Sequence, residues 1–253
     1  MATINKRTIM SYEHIYDGKE RVLTISDMQC PAHHIDSIDF LKECKSVVKP
    51  TKIVHGGDAF DFHSLSFYTR NPDLPSIRDE FEQAMVTMRQ VYKLFPKATM
   101  LKDNHSDRIY RVAEASGLSV KFMRGLLDIM EAPKKWSLEE NIVIDGVLYQ
   151  HGHQGKAGLH PALKQAMEMF QSTVVFHFHA EFGINYFANP SKIIFGMNCG
   201  SLLDQKHLAF KYSKAYKKKS IIGTGAVLHG FPVLLPMQLD KHGRWTGKLP
   251  KIL

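Results

Sequence analysis

Five short clusters along the chain carry side chains that can hold a divalent cation or move a proton. Asp27 and Gln29 stand in "ISDMQCPAHH", and Asp58 and Asp61 in "GGDAFD". Asn104, His105 and Arg108 stand in "KDNHSDR", His151 and His153 in "QHGHQG", and His177 and His179 in "FHFHAEFG". Each cluster follows an apolar run that reads as a strand or hairpin, and strand ends are where open α/β sheets build their sites. Aspartate, asparagine and histidine together suit borderline divalent metals such as manganese, iron(II) or zinc. Cys30, Cys44 and Cys199 form no C-x-x-C pair, which argues against a thiolate zinc finger and against a disulfide framework. Each cluster alone has a plainer reading. "GGD" can be only a turn, "HGH" a tight turn with surface histidines, and "HFH" two histidines on one strand face. His105 can cap a helix or satisfy a core hydrogen bond. The order and spacing of all five together argue for one site.

The elements that must position these residues follow from hydrophobic periodicity. "RVLTI" (21–25) reads as a short buried strand. Ile35, Ile38, Leu41 and the Val47-Val48 pair predict a helix ending before Pro50. "KIVHGGD" is a second strand broken by glycines. From Ile77 to Phe95, apolar residues at spacings of three and four predict a long amphipathic helix closed by Pro96. "ATML" (98–101) is a third strand, and helical segments are expected near 107–116 and 119–130. After Pro133 the character changes. "NIVIDGVLYQ" predicts a hairpin turning at Asp145-Gly146. A helix from about Pro161 to Phe170 precedes the strand "TVVF", and "GINYFA", "KIIFGM", "GAVLHG" and "VLLPMQL" predict further strands. One α/β domain with two packed sheets accounts for this order.

The chain has 253 residues, 44% hydrophobic and 23% charged, ordinary values for a soluble globular protein. No apolar run approaches the roughly 18 residues of a membrane span. "MATINKRTIM" lacks the apolar segment of a signal peptide, so a cytoplasmic location without membrane association is expected. The net charge of +8 favours anionic partners such as phosphate esters or nucleic acid, or serves solubility alone.

In order and spacing, the five clusters resemble the calcineurin-like metallophosphoesterases. That family carries D-x-H, G-D-x-x-D, G-N-H-E or G-N-H-D, a histidine in an H-G context, and G-H-x-H. Here they read "DMQ", "GDAFD", "DNHSDR", "HGH" and "FHFH", with "NCGSL" similar to the family's N-x-G-S segment. The resemblance runs from about residue 21 to residue 240, and "GGDAFDFHSLSF" and "DNHSDR" look like the compact single-domain members often found in bacteriophages. It implies one domain over 1–253, with 1–20 as an N-terminal extension, folded as a four-layer α/β/β/α sandwich. A phage-encoded chain would work in the host cytoplasm. Three departures stand out: Gln29 for histidine, Asp103 for the glycine before Asn104, and Phe176 for the glycine before His177. The last two change how freely the backbone turns.

The resemblance also implies roles. Asp58 bridges two divalent metals. Asp27, Gln29 and His179 complete the first site, and Asn104, His151 and His177 the second. Manganese is the first choice, with iron, zinc, nickel or magnesium as alternatives. Metals roughly 3.5–4 Å apart clamp a phosphoryl group and lower the pKa of a water between them. Phosphomono- or diester hydrolysis then proceeds by attack of the hydroxide, with His105 protonating the leaving oxygen and Asp61 orienting its imidazole. Arg108 either contacts phosphate through its planar fork or pairs with Asp107 or another neighbour at the helix start. His153 belongs to the surrounding loop, and His33 and His34 sit where they could compensate for Gln29. As an amide oxygen, Gln29 would bias the first site toward an oxygen-preferring metal.

The substrate is less defined. Residues 206–219, "KHLAFKYSKAYKKK", hold six lysines and no acid, with Phe210, Tyr212 and Tyr216 interleaved. Such a stretch can bind nucleic acid by phosphate contacts and stacking, or be a solvated loop. A DNA or RNA nuclease is therefore the first alternative to a small-ester phosphoesterase. A non-catalytic binding protein on a degenerate scaffold, suggested by Gln29, is the second.

Overall fold

The computed structural model describes residues 18–67, 73–155, 158–190, 192–204, 206–207 and 219–251. Most of the lysine- and aromatic-rich stretch, and residues 1–17 of the N-terminal extension, lie outside them. In the first sheet β1 (Arg21–Ile25), β2 (Lys52–His55), β3 (Ala98–Leu101) and β4 (Trp136–Glu139) run parallel. On the other side of β1, β10 (Gly223–Leu228) and β11 (Phe231–Pro236) add antiparallel, giving the order β11-β10-β1-β2-β3-β4. The second sheet has the order β5-β6-β7-β9-β8. Its strands are β5 (Asn141–Ile144), β6 (Val147–Gln150), β7 (Thr173–Val175), β8 (Phe182–Ala188) and β9 (Ile193–Cys199).

The two sheets face each other and helices cover their outer sides, giving the four layers expected. Val22, Val54, Leu101, Tyr149, Val174, Phe176, Phe195 and Met197 fill the space between the sheets. Leu23 and Ile25 point the other way, into a core shared with α1 (Ser37–Val48) and α2 (Ile77–Leu94). β1 is therefore buried on both faces, which is why "RVLTI" shows no polar alternation. α2 begins at Ser76, whose Oγ accepts a hydrogen bond from Asp79 N, and buries Met85, Met88, Val91 and Tyr92 along one stripe. The β5–β6 hairpin turns at Asp145 and Gly146, whose φ values of 48° and 74° are both positive, as a two-residue turn of this kind requires. α5 (Pro161–Glu168) lies directly on β9, where a Cβ on Gly196 would meet Leu163 N at 2.2 Å.

Three local expectations are corrected. The first helix begins at Ser37, and Ile35 is 73% exposed, outside its apolar stripe. The helix expected over 119–130 is a 3-10 turn at Val120–Phe122 and a short α4 (Leu126–Ile129), separated by extended Gly125. β4 went unread, because a four-residue edge strand carrying Ser137 and Glu139 has no clear period. It is held by Trp136, which is buried edge-on against Tyr92 and donates to Phe95 O. α3 (Asp107–Ala115) forms as expected. All three cysteines are free and buried, and among the described residues no helix is long and apolar enough to cross a membrane.

The chain's C-terminal part is tied back to the start of α1. Asp36 precedes that helix without capping it; its carboxylate instead accepts from Arg244 Nε at 2.8 Å, from Arg244 Nη2 and from Trp245 N. His34 Nε2 donates to Gly243 O, and Trp245 packs edge-on against Phe40. The Arg244 hydrogen bonds, opposed by burial and assisted by the Trp245 amide, lower the Asp36 carboxyl from 3.8 to about 2. A carboxyl depressed by folding stabilises the protein above its unfolded pKa and loses that effect as pH falls through the folded one. Asp36→Asn should therefore lower Tm near neutral pH, and the gap to wild type should close between about pH 4 and pH 2. A gap that does not change with pH in a thermal-melt series would show that the pair contributes no charge-dependent stability.

Candidate metal centre

The loops after β1, β2, β3, β6 and β7 converge at one end of the two sheets. The first two are zipped together: Gln29 N donates to Asp58 O at 2.7 Å, and Cys30 N to Ala59 O. Asp27 is held from the other side, since Leu202 N of the "NCGSL" segment donates to its carbonyl. Gln29, Asp58 and His177 have φ values of 45°, 44° and 65°, a left-handed backbone that costs energy for non-glycine residues and collects at functional sites. Gly57, at φ 99°, lets the loops meet. A Cβ there would lie 2.7 Å from Asp103 Cβ and 2.8 Å from His151 Nδ1.

Around that crossing the side chains form two groups. Asp58, His151 and His177 offer ligand atoms all within 4.8 Å of one another, and so do Asp27, Asp58 and His179. Both groups contain Asp58. Asn104 joins the first, its Oδ1 lying 3.1 Å from His151 Nε2. His151 Nδ1 donates to Gly56 O at 2.8 Å, which fixes the ring and turns Nε2 toward Asp58 Oδ1 at 3.5 Å. In the other group Asp27 Oδ2 lies 2.9 Å from His179 Nε2 and accepts from His177 N at 2.9 Å. Asp27 Oδ1 is buried with no hydrogen-bond partner. A fully buried carboxylate with an orphaned oxygen, facing imidazoles and a second carboxylate, fits a divalent cation.

The expected proton-transfer residues sit beside Asp58. His105 Nδ1 lies 3.0 Å from Asp61 Oδ1 and 2.9 Å from the Asp61 carbonyl, so it carries the proton. His105 Nε2 points to Asp58 Oδ2 at 3.7 Å. Arg108 is no surface partner of Asp107: Nη1 donates to Asp61 O at 2.6 Å and Nη2 lies 3.3 Å from His105 Nε2. Gln29 Nε2 is 3.3 Å from Asp58 Oδ2 and 3.2 Å from His105 Nε2. His33 and His34 are outside both groups, bonded to Thr87 Oγ1 and Gly243 O. His153 packs its ring against those of His151 and His177.

The charges of this cluster act on one another. Burial works to lower His105, but Asp58 and Asp61 overcome it and raise the imidazole to about 9. Burial and the neighbouring His151 bring His177 down to about 4. Burial likewise opposes ionisation of Asp58, yet His105 and His151 hold its carboxyl well below the usual range.

Two residues of the centre were not singled out as site residues from the sequence. Asp103 is buried against Gly57 and accepts from Ser106 N at 2.6 Å and Ser106 Oγ at 2.9 Å, bracing the turn that presents Asn104 and His105. Burial and the Asp58 charge push it up to about 7. The signal was its unusual acid; the span of its effect was not visible. His55, fully buried, accepts from Gly57 N at 3.2 Å and so steadies the turn into Asp58. Its only sequence signal is its place as the last strand residue before "GGD". Phe176 precedes His177 and is accommodated by a neighbouring glycine. Its ring fills the space where a Cβ on Gly56 would stand, 2.3 Å away, while His177 takes the positive φ.

No family model and no curated protein matches the chain. Solved structures that it resembles include Vps29 from Chaetomium thermophilum, at 12% identity and TM-score 0.47, covering 92% of this chain and 96% of that one. Others are the phosphoesterase YfcE from E. coli, at 12% identity and TM-score 0.43, covering 82% and 87%, and the nuclease MPE from Pseudomonas putida, at 10% identity and TM-score 0.31, covering 84% and 86%.

Proposed function

We propose that the protein is a metal-dependent phosphoesterase acting on phosphomono- or diesters. The observation that carries this reading is the pair of ligand groups sharing Asp58. Asp27, Asp58 and His179 would hold one cation, and Asp58, Asn104, His151 and His177 the other, with manganese suited to so oxygen-rich a first group. Bound there, two cations would polarise a phosphoryl group and make a water acidic enough to attack it at neutral pH. The remaining tasks fall to the chain's own residues. Asp61 fixes the proton on His105 Nδ1, so Nε2 is the atom that delivers a proton to the leaving oxygen. Arg108, held against Asp61 and His105, presents its guanidinium beside the same point and would contact the phosphate.

The test is metal content by elemental analysis on protein prepared without chelator, followed by chromogenic mono- and diesters and single-stranded DNA on the same sample. About two metals per chain with turnover of an ester is the expected result. Full folding with no metal and no turnover on any of the three would reject the reading. DNA cleavage alone would favour the nuclease.

A further inference from the structure

We infer that Gln29 is a positioning residue that ties Asp58 to His105, instead of the first-metal ligand implied by the resemblance. The inference rests on the phosphoesterase reading for the roles of those two residues. Position 29 presents its amide nitrogen to both, at 3.3 Å from Asp58 Oδ2 and 3.2 Å from His105 Nε2. Since His105 Nδ1 keeps its proton against two acceptors on Asp61, Nε2 is the atom left to accept in the neutral imidazole that remains once the proton has been delivered. An amide NH2 has two hydrogens, so one glutamine can serve both acceptors at once. A histidine has at most one hydrogen on each ring nitrogen and cannot bridge the two from a single atom.

The backbone holds this arrangement. Gln29 N donates to Asp58 O, Gln29 O accepts from Ala32 N at 2.8 Å, and the residue is kept at φ 45°. Asp27, Asp58 and His179 meanwhile bring three ligand atoms within 4.8 Å of one another on their own. Gln29 Oε1 is buried without a partner and is the atom that would reach a cation if Gln29 were a ligand. The two roles therefore use opposite ends of the same amide.

Gln29→Met keeps the side-chain length and removes both hydrogen bonds. On the full chain, titration with Mn2+ alone should give affinities at both sites within about threefold of wild type, since no ligand is lost. The His105 Nε2 resonance in 15N NMR of the metal-free protein should move. With phenyl phosphate, kcat should fall about tenfold, the effect of one lost hydrogen bond to a catalytic group, and p-nitrophenyl phosphate should be affected less. Loss of Mn2+ affinity by about tenfold or more at one site would make Gln29 a ligand and overturn the inference. An unmoved Nε2 resonance, or equal losses on both substrates, would also overturn it. Absence of turnover in the wild type would count against the phosphoesterase reading alone, because the NMR comparison needs neither metal nor substrate.

Discussion

Asp58→Asn should lower ester hydrolysis by on the order of 10³-fold, equivalent to about 4 kcal/mol of transition-state stabilisation. Asp58 is the residue common to both ligand groups, so on the proposed reading its loss would weaken both cation sites at once. Its position also makes the substitution clean. Asparagine has the same shape and tolerates the left-handed backbone at φ 44° better than most residues, so the turn should survive. The carboxylate is fully buried beside His105 and His151, so losing its charge removes a desolvation cost and also the attraction to both imidazoles. Circular dichroism should therefore stay near wild type and Tm should fall, while metal content and kcat collapse. Turnover within about tenfold of wild type, with two metals still bound, would show that Asp58 does not bridge.

The second large effect belongs to His105. His105→Ala should reduce kcat on phenyl or alkyl phosphates by about 10²–10⁴-fold, the usual contribution of a positioned general acid. p-Nitrophenyl phosphate should lose far less, because nitrophenolate departs without a proton. The contrast across leaving groups separates proton donation from mere support of the site. Asp61→Asn should give a weaker version of the same pattern, since the amide can still accept from His105 Nδ1 but no longer supplies a charge. A uniform loss across the series would assign His105 to phosphate binding instead. The fold must be checked in parallel, because removing the imidazole leaves Asp58 and Asp61 without the cation between them.

Much of the architecture was legible because the decisive signals are local. "RVLTI" and "ATML" are short apolar runs, and the Asp145-Gly146 turn needs only two residues of positive φ. The α2 stripe repeats over five turns, long enough for its period to stand out. β4 failed the same test, with too few residues and two of them polar. The split of the 119–130 segment turned on Gly125 taking an extended backbone, which favourable helix residues on either side concealed.

At the site, the sequence by itself determined which residue types collect at strand ends, and in what order. Those are properties of single loops, each fixed by a handful of neighbours. Only the tertiary structure decided how the loops meet. Arg108 faces Asp61 and His105 instead of its neighbour Asp107, His33 and His34 turn toward Thr87 and the Gly243 backbone, and Asp103 braces the Asn104 turn. Gln29 shows the limit most clearly. Its spacing from Asp27 marks it as a position in the centre, but which end of its amide faces Asp58 depends on a residue 29 positions away and on an imidazole from a third loop. Hydrogen bonds between distant loops act over about 3 Å and leave no periodic trace along the chain.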